Sequence, residues 1–336
     1  MKRNSEIQKL ARIKPENYAG QVQKIKIQVL RSKDYEVQNG YTITGDAPKE
    51  FIKVYDPKTS KRTNKKTWPL YLAKTARKWY PNESIIEYLL NQIGVVWGLN
   101  MAESDLVLCN GQIRFLSKYF LKKEEVLVHC ANLYAKCFNG DQFITHIEKN
   151  NLEKKINNIQ LFKNCVSMAY GHHANIIFSE FIKMILFDAL VGNNDRHFYN
   201  YGIIESINSN SEPRFTPIYD TARGLLWNIS DKKIISLRND KKAKQSFLEK
   251  YIRDSKPKIG WHNNQDIDHF QMVQFIKSTE TGLNKQTIKE FFDNDKLNAS
   301  ITLLDKKFNV LLNAERLELV KQCLILRFNK LKEIFK

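Results

Sequence analysis

From Gln23 to Leu30 the sequence QKIKIQVL alternates apolar and polar side chains, the two-residue period of a strand with one buried face. FIKVY at 51–55 and LYLAK at 70–74 carry the same alternation, so the first third of the chain predicts an antiparallel sheet. The period then changes. In NESIIEYLLNQIGVVWGL, Ile85, Ile86, Leu89, Leu90 and Ile93 recur at helical steps, which predicts a helix capped by Asn82 or Ser84. DLVLCNGQIRFLSKYFL reads as two strands around Asn110-Gly111, a dipeptide suited to a two-residue hairpin turn. From about residue 123 the spacing turns helical and stays so, with long runs at 173–191 and in AERLELVKQCLILRFNKLKEIF. The pattern predicts an α+β fold with a β-rich N-terminal lobe, residues 1–121, and a helical C-terminal lobe, residues 122–336.

The most continuous helical run, FSEFIKMILFDALVG, sets Phe178, Phe181, Ile182, Ile185, Leu186, Ala189 and Leu190 on one face. Gly192 suits the left-handed position that ends such a helix. Asn193 to Asn200 is then polar and Tyr201 to Ile204 is strand-like, so a helix and a strand hold a short polar loop. Asp195 and Asn200 lie five apart in that loop. In phosphoryl-transfer loops this offset sets a carboxylate beside an acceptor hydroxyl and a carboxamide on Mg²⁺. A second hard oxygen ligand is then needed, and PIYDTARGLL at 217–226 offers Asp220 after an apolar lead-in. Taken by itself the spacing also fits a loop whose Asp and Asn cap backbone groups, and His197 by itself fits a loop brace.

Composition narrows the classes. The run at 178–192 is interrupted by Glu180, Lys183 and Asp188, which argues against a membrane span. The first twenty residues are basic without the apolar core of a secretory signal, so a cytoplasmic location is expected, with export by a signal-less route left open. Five cysteines form no C-x-x-C pair, and His129 completes no zinc pattern, so reduced core thiols are expected. The formal charge of +18 suits an anionic partner, whether nucleic acid, membrane, phosphates or an acidic protein, and equally a solvated Lys-rich surface. PKTSKRTNKKTWP at 57–69 reads as an exposed, mobile loop between strands.

The string FDALVGNNDRHFYNYGII followed by PIYDTARG resembles the catalytic core of HipA-like serine/threonine kinases, whose hallmark is Gly-Asn-x-Asp-Arg-His-x-x-Asn followed by Tyr-Asp. TITGDAPKEF at 42–51 is similar to that family's phosphate loop, LYLAKT at 70–75 to its ATP-lysine strand, and GLNMAESDLVL with IRFLSKYF to its lobe-linking strands. The resemblance implies a bilobal protein-kinase-like fold that uses ATP and Mg²⁺ and acts on a protein substrate with a Ser/Thr acceptor. It implies Asp195 as catalytic base with His197 bracing its loop, and Asn200 and Asp220 as Mg²⁺ ligands. Lys74 would pair the α- and β-phosphates, with Glu83 or Glu87 as its partner. Thr44, Gly45 and Lys49 would cover the phosphates, and adenine would lie against Leu116, Ser117 and Tyr119 in the linker. Thr42 and Thr44 stand where the family carries autophosphorylated hydroxyls, and a phosphate there would oppose nucleotide binding. Two departures are visible: Ala47 stands where the family usually has Gln, and few residues precede the phosphate loop, as in a compact member.

The resemblance leaves a toxin with an antitoxin partner and an effector with a host-cell target both open, with nucleic-acid contact only indirect. Phosphoinositide-type lipid kinases also use Asp-Arg-His-x-x-Asn, and a basic surface would suit an anionic membrane. A basic nucleic-acid binder would need a reading helix or an aromatic stacking platform, and the sequence displays neither.

Overall fold

The computed structural model describes residues 14, 18–21, 27–39, 48–76, 78–138, 140–150, 152–208, 210–261, 264, 266–279, 287–288 and 290–335. Six strands form the first sheet: β1 (Gln28–Leu30), β2 (Tyr35–Val37), β3 (Lys49–Val54), β4 (Leu70–Lys74), β5 (Ser104–Cys109) and β6 (Gln112–Lys118). Their order is β1-β5-β6-β4-β3-β2. Every pair is antiparallel except β1 with β5, so the expected antiparallel sheet carries one parallel edge strand. The β5–β6 turn has φ of 50° at Asn110 and 76° at Gly111, the left-handed pair that a two-residue hairpin demands. The 57–69 loop is exposed up to Trp68, which is buried and donates its indole N–H to the Lys61 carbonyl at 3.0 Å.

Helix α1 (Asn82–Val96) lies between β4 and β5 in the chain, as its periodicity predicts. Neither expected residue caps it. Ser84 lies in its first turn and accepts the Ala76 N–H at 3.1 Å, while the Asn82 amide crosses to Asp231 at 3.3 Å. Both side chains are buried, so long-range partners outcompete the local cap.

Helix does not begin at residue 123. A strand, β7 (Glu125–His129), comes first and pairs antiparallel with β8 (Gly202–Ser206), which also pairs with β9 (Arg214–Phe215). A five-residue segment with three apolar residues, EVLVH, is ambiguous by period alone, and a partner strand some 75 residues away decides it. Gly202 permits the pairing, because a Cβ there would stand 2.2 Å from the Val128 carbonyl oxygen.

The remainder is helical: α2 (Cys130–Cys137), α3 (Asp141–Lys149), α4 (Glu153–Ile156), α5 (Ile159–Tyr170), α6 (Ala174–Val191), α7 (Asp231–Ser236), α8 (Lys241–Asp254), α9 (His269–Thr279), α10 (Asn294–Leu303) and α11 (Ala314–Ile334). α6 is the axis of the core, buried along nearly its whole second half, with Phe181 stacked on Phe162 of α5 at 4.0 Å between ring centroids. Trp97, just after α1, packs on Phe291, Phe292 and Phe328 and donates to Ser300 Oγ at 3.0 Å, which ties α1 to the C-terminal helices. All five cysteines are free thiols, four of them buried. Among the described residues no helix is long and apolar enough to cross a membrane.

Candidate active site

α6 ends where its pattern says it should: Gly192 adopts φ 69°, ψ 37°, and its N–H returns to the Asp188 carbonyl. The next residues fold back on a carboxylate inside the helix. Arg196 forks onto Asp188 through Nε at 2.8 Å and Nη2 at 3.0 Å, and Asn193 donates to the same carboxylate at 2.9 Å. Arg196 Nη1 also binds the carbonyls of Asn200, at 2.9 Å, and Tyr219, at 2.7 Å. With only 1% of its surface exposed, Arg196 is a post that fixes the loop against the Asp220 segment. Neither Asp188 nor Arg196 figured among the candidates. The available signal was a carboxylate in a helix otherwise buried, since a charge is kept there only when paired.

With Arg196 turned inward, Asp195 and Asn200 sit on the other side of the loop. The Asn200 amide donates to the Asp195 carbonyl at 2.9 Å, leaving Oδ1 as the end that can accept or ligate. The Asp195 carboxylate faces two cations: Lys258 Nζ at 2.5 Å from Oδ1 and Arg223 Nε at 3.0 Å from Oδ2. His197 is a brace in this geometry. Its N–H binds the Asp195 carbonyl at 2.8 Å and its ring Nδ1 accepts the Tyr199 N–H at 3.3 Å. Burial holds its imidazole below the usual pKa, which favours the neutral ring that such an acceptor needs.

Asp220 has φ 54°, a left-handed conformation costing a non-glycine residue about 1–2 kcal/mol. Leu225 and Leu226 are left-handed as well, and both are fully buried. The segment is held in place by the Leu225 N–H on the Val191 carbonyl at 3.0 Å and the Leu226 N–H on the Tyr251 hydroxyl at 2.9 Å. Lys74, at the end of β4, places Nζ 2.8 Å from Asp220 Oδ1 and 2.8 Å from Glu87 Oε1.

The electrostatics of this triplet follow from burial and pairing. Burial works to raise the Asp220 pKa, but the Lys74 ammonium, joined by the charges of Lys49 and Arg196, outweighs it and holds the carboxyl down at about 2. Glu87 is pushed up to about 7 by burial, with Lys74 opposing only in part. Burial favours loss of the Lys74 proton, yet its two carboxylates keep its pKa above the ordinary lysine value.

Glu87, not Glu83, makes the lysine contact. The two share a face four residues apart, about 6 Å along the axis, so one ammonium reaches only one of them. Glu83 is itself raised by burial, with Arg223 the foremost charge drawing it down. Lys49 stands opposite Lys74 in the β3–β4 register, and its charge also lowers Asp220. Leu116 is a further correction. It pairs with Ala73, and both pack in a small cluster with Leu30, Ile52 and Val107 on the sheet face away from Lys74. Ser117 lies on the Lys74 face opposite Leu72, and Tyr119 is half-exposed with its ring edge-on to Phe51 at 5.9 Å. Leu72 and Phe115 share that face and were not among the candidates. Thr42, Thr44 and Gly45 lie outside the described residues.

Among the described residues no group of three His, Cys, Asp or Glu side chains could hold a metal ion. Asn200 Oδ1 and the Asp220 carboxylate are hard oxygen donors, a pair that suits Mg²⁺, which takes its other ligands from phosphates and water.

The model of one protein family, the HipA-like C-terminal domain, matches residues 19–295, and the chain belongs to that family. Among solved structures the chain is similar to the Helicobacter pylori proinflammatory kinase CtkA, with 18% identity and a TM-score of 0.70 over 89% of this chain and 94% of that one. It is also similar to a chain of the Shewanella oneidensis MR-1 toxin–antitoxin complex of HipA, HipB and operator DNA, with 14% identity and a TM-score of 0.49 over 91% and 67%. No curated protein sequence matches. The first likeness bears out the α+β, kinase-like fold: a curled sheet in the N-terminal region and helices in the C-terminal part.

Proposed function

We propose that the chain is an ATP-dependent protein kinase that passes the γ-phosphoryl group to a serine or threonine hydroxyl. The observation that most supports the reading is the Lys74 ammonium, 2.8 Å from both Glu87 and Asp220, which joins three separate elements at one point. Family membership and the likeness to CtkA point the same way.

In this reading nucleotide lies between lobes divided near residues 121 and 122, with adenine against Ser117 and the 118–120 linker and its phosphates over Lys49 and Lys74. Lys74 pairs with the α- and β-phosphates, and Glu87 keeps its ammonium aimed. Asn200 and Asp220 would hold Mg²⁺, whose charge neutralises the phosphate oxygens when bound. Asp195 accepts a hydrogen bond from the acceptor hydroxyl, orients it in line with the γ-phosphorus and takes its proton as the bond to phosphorus forms. Arg196 fixes the loop, so that most of the catalysis is positioning. Thr42 and Thr44 are the proposed self-modification sites, and a phosphate on either would repel nucleotide phosphates.

Incubation with labelled ATP and Mg²⁺, followed by mapping of phosphosites, tests the reading. Label is expected on Ser/Thr of the chain and of an acidic model protein, and Asp195→Asn should remove it while the protein stays folded. Label entering phosphoinositide vesicles and no protein would move the acceptor class to lipids. Wild-type turnover in Asp195→Asn would refute the base.

A further inference from the structure

The loop from the end of α8 to Gly260 approaches the candidate base from a part of the chain that no motif marked. Lys258, 63 residues after Asp195 in sequence, puts its ammonium 2.5 Å from the carboxylate. The loop carrying it is anchored at one end to the catalytic segment and at the other to the turn between α4 and α5. Ser255 Oγ donates to the Gly192 carbonyl at 2.8 Å, and the Gly260 N–H binds the Asn157 carbonyl at 2.7 Å. Between them the Asn157 amide donates to the Lys258 carbonyl and to the Arg196 carbonyl, both at 3.1 Å. Asn157 is 1% exposed and its own Oδ1 receives the Tyr201 hydroxyl at 2.5 Å, so one buried carboxamide sets the spacing between the two loops. The Lys258 side chain itself is 40% exposed at the mouth of the site. A surface cation held on a rigid loop and aimed at a mostly buried carboxylate is built for more than a surface ion pair.

We infer that Lys258 is a catalytic residue of the phosphoryl-transfer reaction, its ammonium meeting the γ-phosphoryl oxygens as the group crosses to the acceptor; this rests on the kinase reading above. The acceptor oxygen must lie within about 3 Å of the Asp195 carboxylate, and the γ-phosphorus about 3–3.5 Å beyond it in an attack-ready pose. An ammonium already on that carboxylate is therefore within reach of the phosphoryl oxygens. In the step, the acceptor O–P bond forms, the bond from phosphorus to the bridging oxygen of ADP breaks, and its electron pair leaves with ADP. The hydroxyl proton goes to Asp195. Neutralising Asp195 weakens its hold on Lys258 at the moment when charge on the transferring group is greatest, so the cation moves to the phosphoryl oxygens and keeps its own protons. Arg223, on the other carboxylate oxygen, packs 5.2 Å from the centre of the Trp227 ring and is less free to follow.

The test compares wild type with Lys258→Ala, Lys258→Gln and Lys258→Arg. Affinity for MgADP and for MgADP with aluminium fluoride, a mimic of the group in transfer, is measured beside kcat and KM for ATP. Expected is a fall in kcat of about 10²–10³-fold in the Ala and Gln variants, KM for ATP within about threefold, and part of kcat restored in Lys258→Arg. MgADP affinity should hold while the extra affinity conferred by aluminium fluoride falls at least about tenfold. Unchanged kcat in Lys258→Ala, or an equal loss of affinity for both nucleotide states, overturns the role of Lys258 alone. A folded wild type that neither transfers phosphate nor distinguishes the two nucleotide states overturns the kinase reading itself.

Discussion

Replacing Asp188 with asparagine removes one negative charge from the interior of the protein and leaves the Arg196 guanidinium, 1% exposed, without its counterion. The carboxylate takes three hydrogen bonds, two from Arg196 and one from Asn193, and asparagine keeps one accepting oxygen while turning an amide NH₂ toward a donor. An uncompensated buried charge of this kind costs about 3–5 kcal/mol. With a urea m-value of about 3 kcal/mol/M, the midpoint should fall by roughly 1–1.7 M, read by tryptophan fluorescence. A double variant, Asp188→Leu with Arg196→Met, tests the ion pair more sharply. That change removes both charges and leaves neutral orphans, the carbonyls of Asn200 and Tyr219 and the Asn193 amide, at about 1 kcal/mol each. Its total of about 3 kcal/mol should be no worse than either single change, an interaction energy of about 3 kcal/mol or more. Additive losses, or Asp188→Asn within 1 kcal/mol of wild type, would refute the account of Arg196 as a post held by a buried ion pair.

Glu87 gives a pH signature. Its pKa rises from 4.5 to about 7 on folding, so between those values the folded state holds more protons than the unfolded chain. Its contribution is therefore complete below pH 4.5 and is lost as pH rises through 7, with a slope of up to about 1.4 kcal/mol per unit. Urea midpoints at several pH values should show that fall, and Glu87→Gln should flatten it; a slope indifferent to the substitution would contradict the burial argument. Gly202→Ala drives a Cβ to 2.2 Å from Val128 O and 2.9 Å from His129 Cα, both backbone, and should cost about 3 kcal/mol by forcing β7 from β8. Gly98→Ala, left-handed at φ 72° but with open space around it, should cost only about 1 kcal/mol. Equal losses at the two glycines would refute the close approach to the Val128 carbonyl as the larger constraint.

What the sequence made legible follows from how local the cause is. β4, α1, the Asn110-Gly111 hairpin, α6 and its Gly192 stop each rest on neighbouring residues, and each is found where the pattern puts it. β7 does not, since EVLVH becomes a strand only because Gly202 admits it against β8. The site divides the same way. Asp195, Asn200 and Asp220 could be named because their spacing is short, and the structure brings their two segments together through Arg196. Which glutamate meets Lys74 depends on the axial level of α1 over β4, which helical phase alone does not contain. Leu116 lies one step along β6 from the positions that share the Lys74 face, and that single step moves its side chain to the far face of the sheet. Lys258 carried no signal, because nothing in SKPKIG speaks of Asn157 or Gly192, the groups that aim it.

The partners of α1 bear on whether the Lys74–Glu87 contact depends on a ligand. At the start of α1, Asn82 reaches Asp231, which also accepts from the fully buried Arg316 at 2.7 Å and from the Gln21 N–H at 3.2 Å. Arg316 in turn binds the carbonyls of Leu226 and Ile229, so the left-handed segment after Asp220 and the start of α1 share one guanidinium. At the far end Trp97 is locked among three phenylalanines. On the outer face Lys307 lies 4.6 Å from the Tyr88 ring centre and donates to Gln92 at 2.8 Å. A helix fixed at both ends and along one side has little freedom to rotate, and each anchor lies in the C-terminal half of the chain. Glu87 is thus delivered to Lys74 by packing. The ion pair is assembled by the fold itself, and control of this site has to act on other elements than α1.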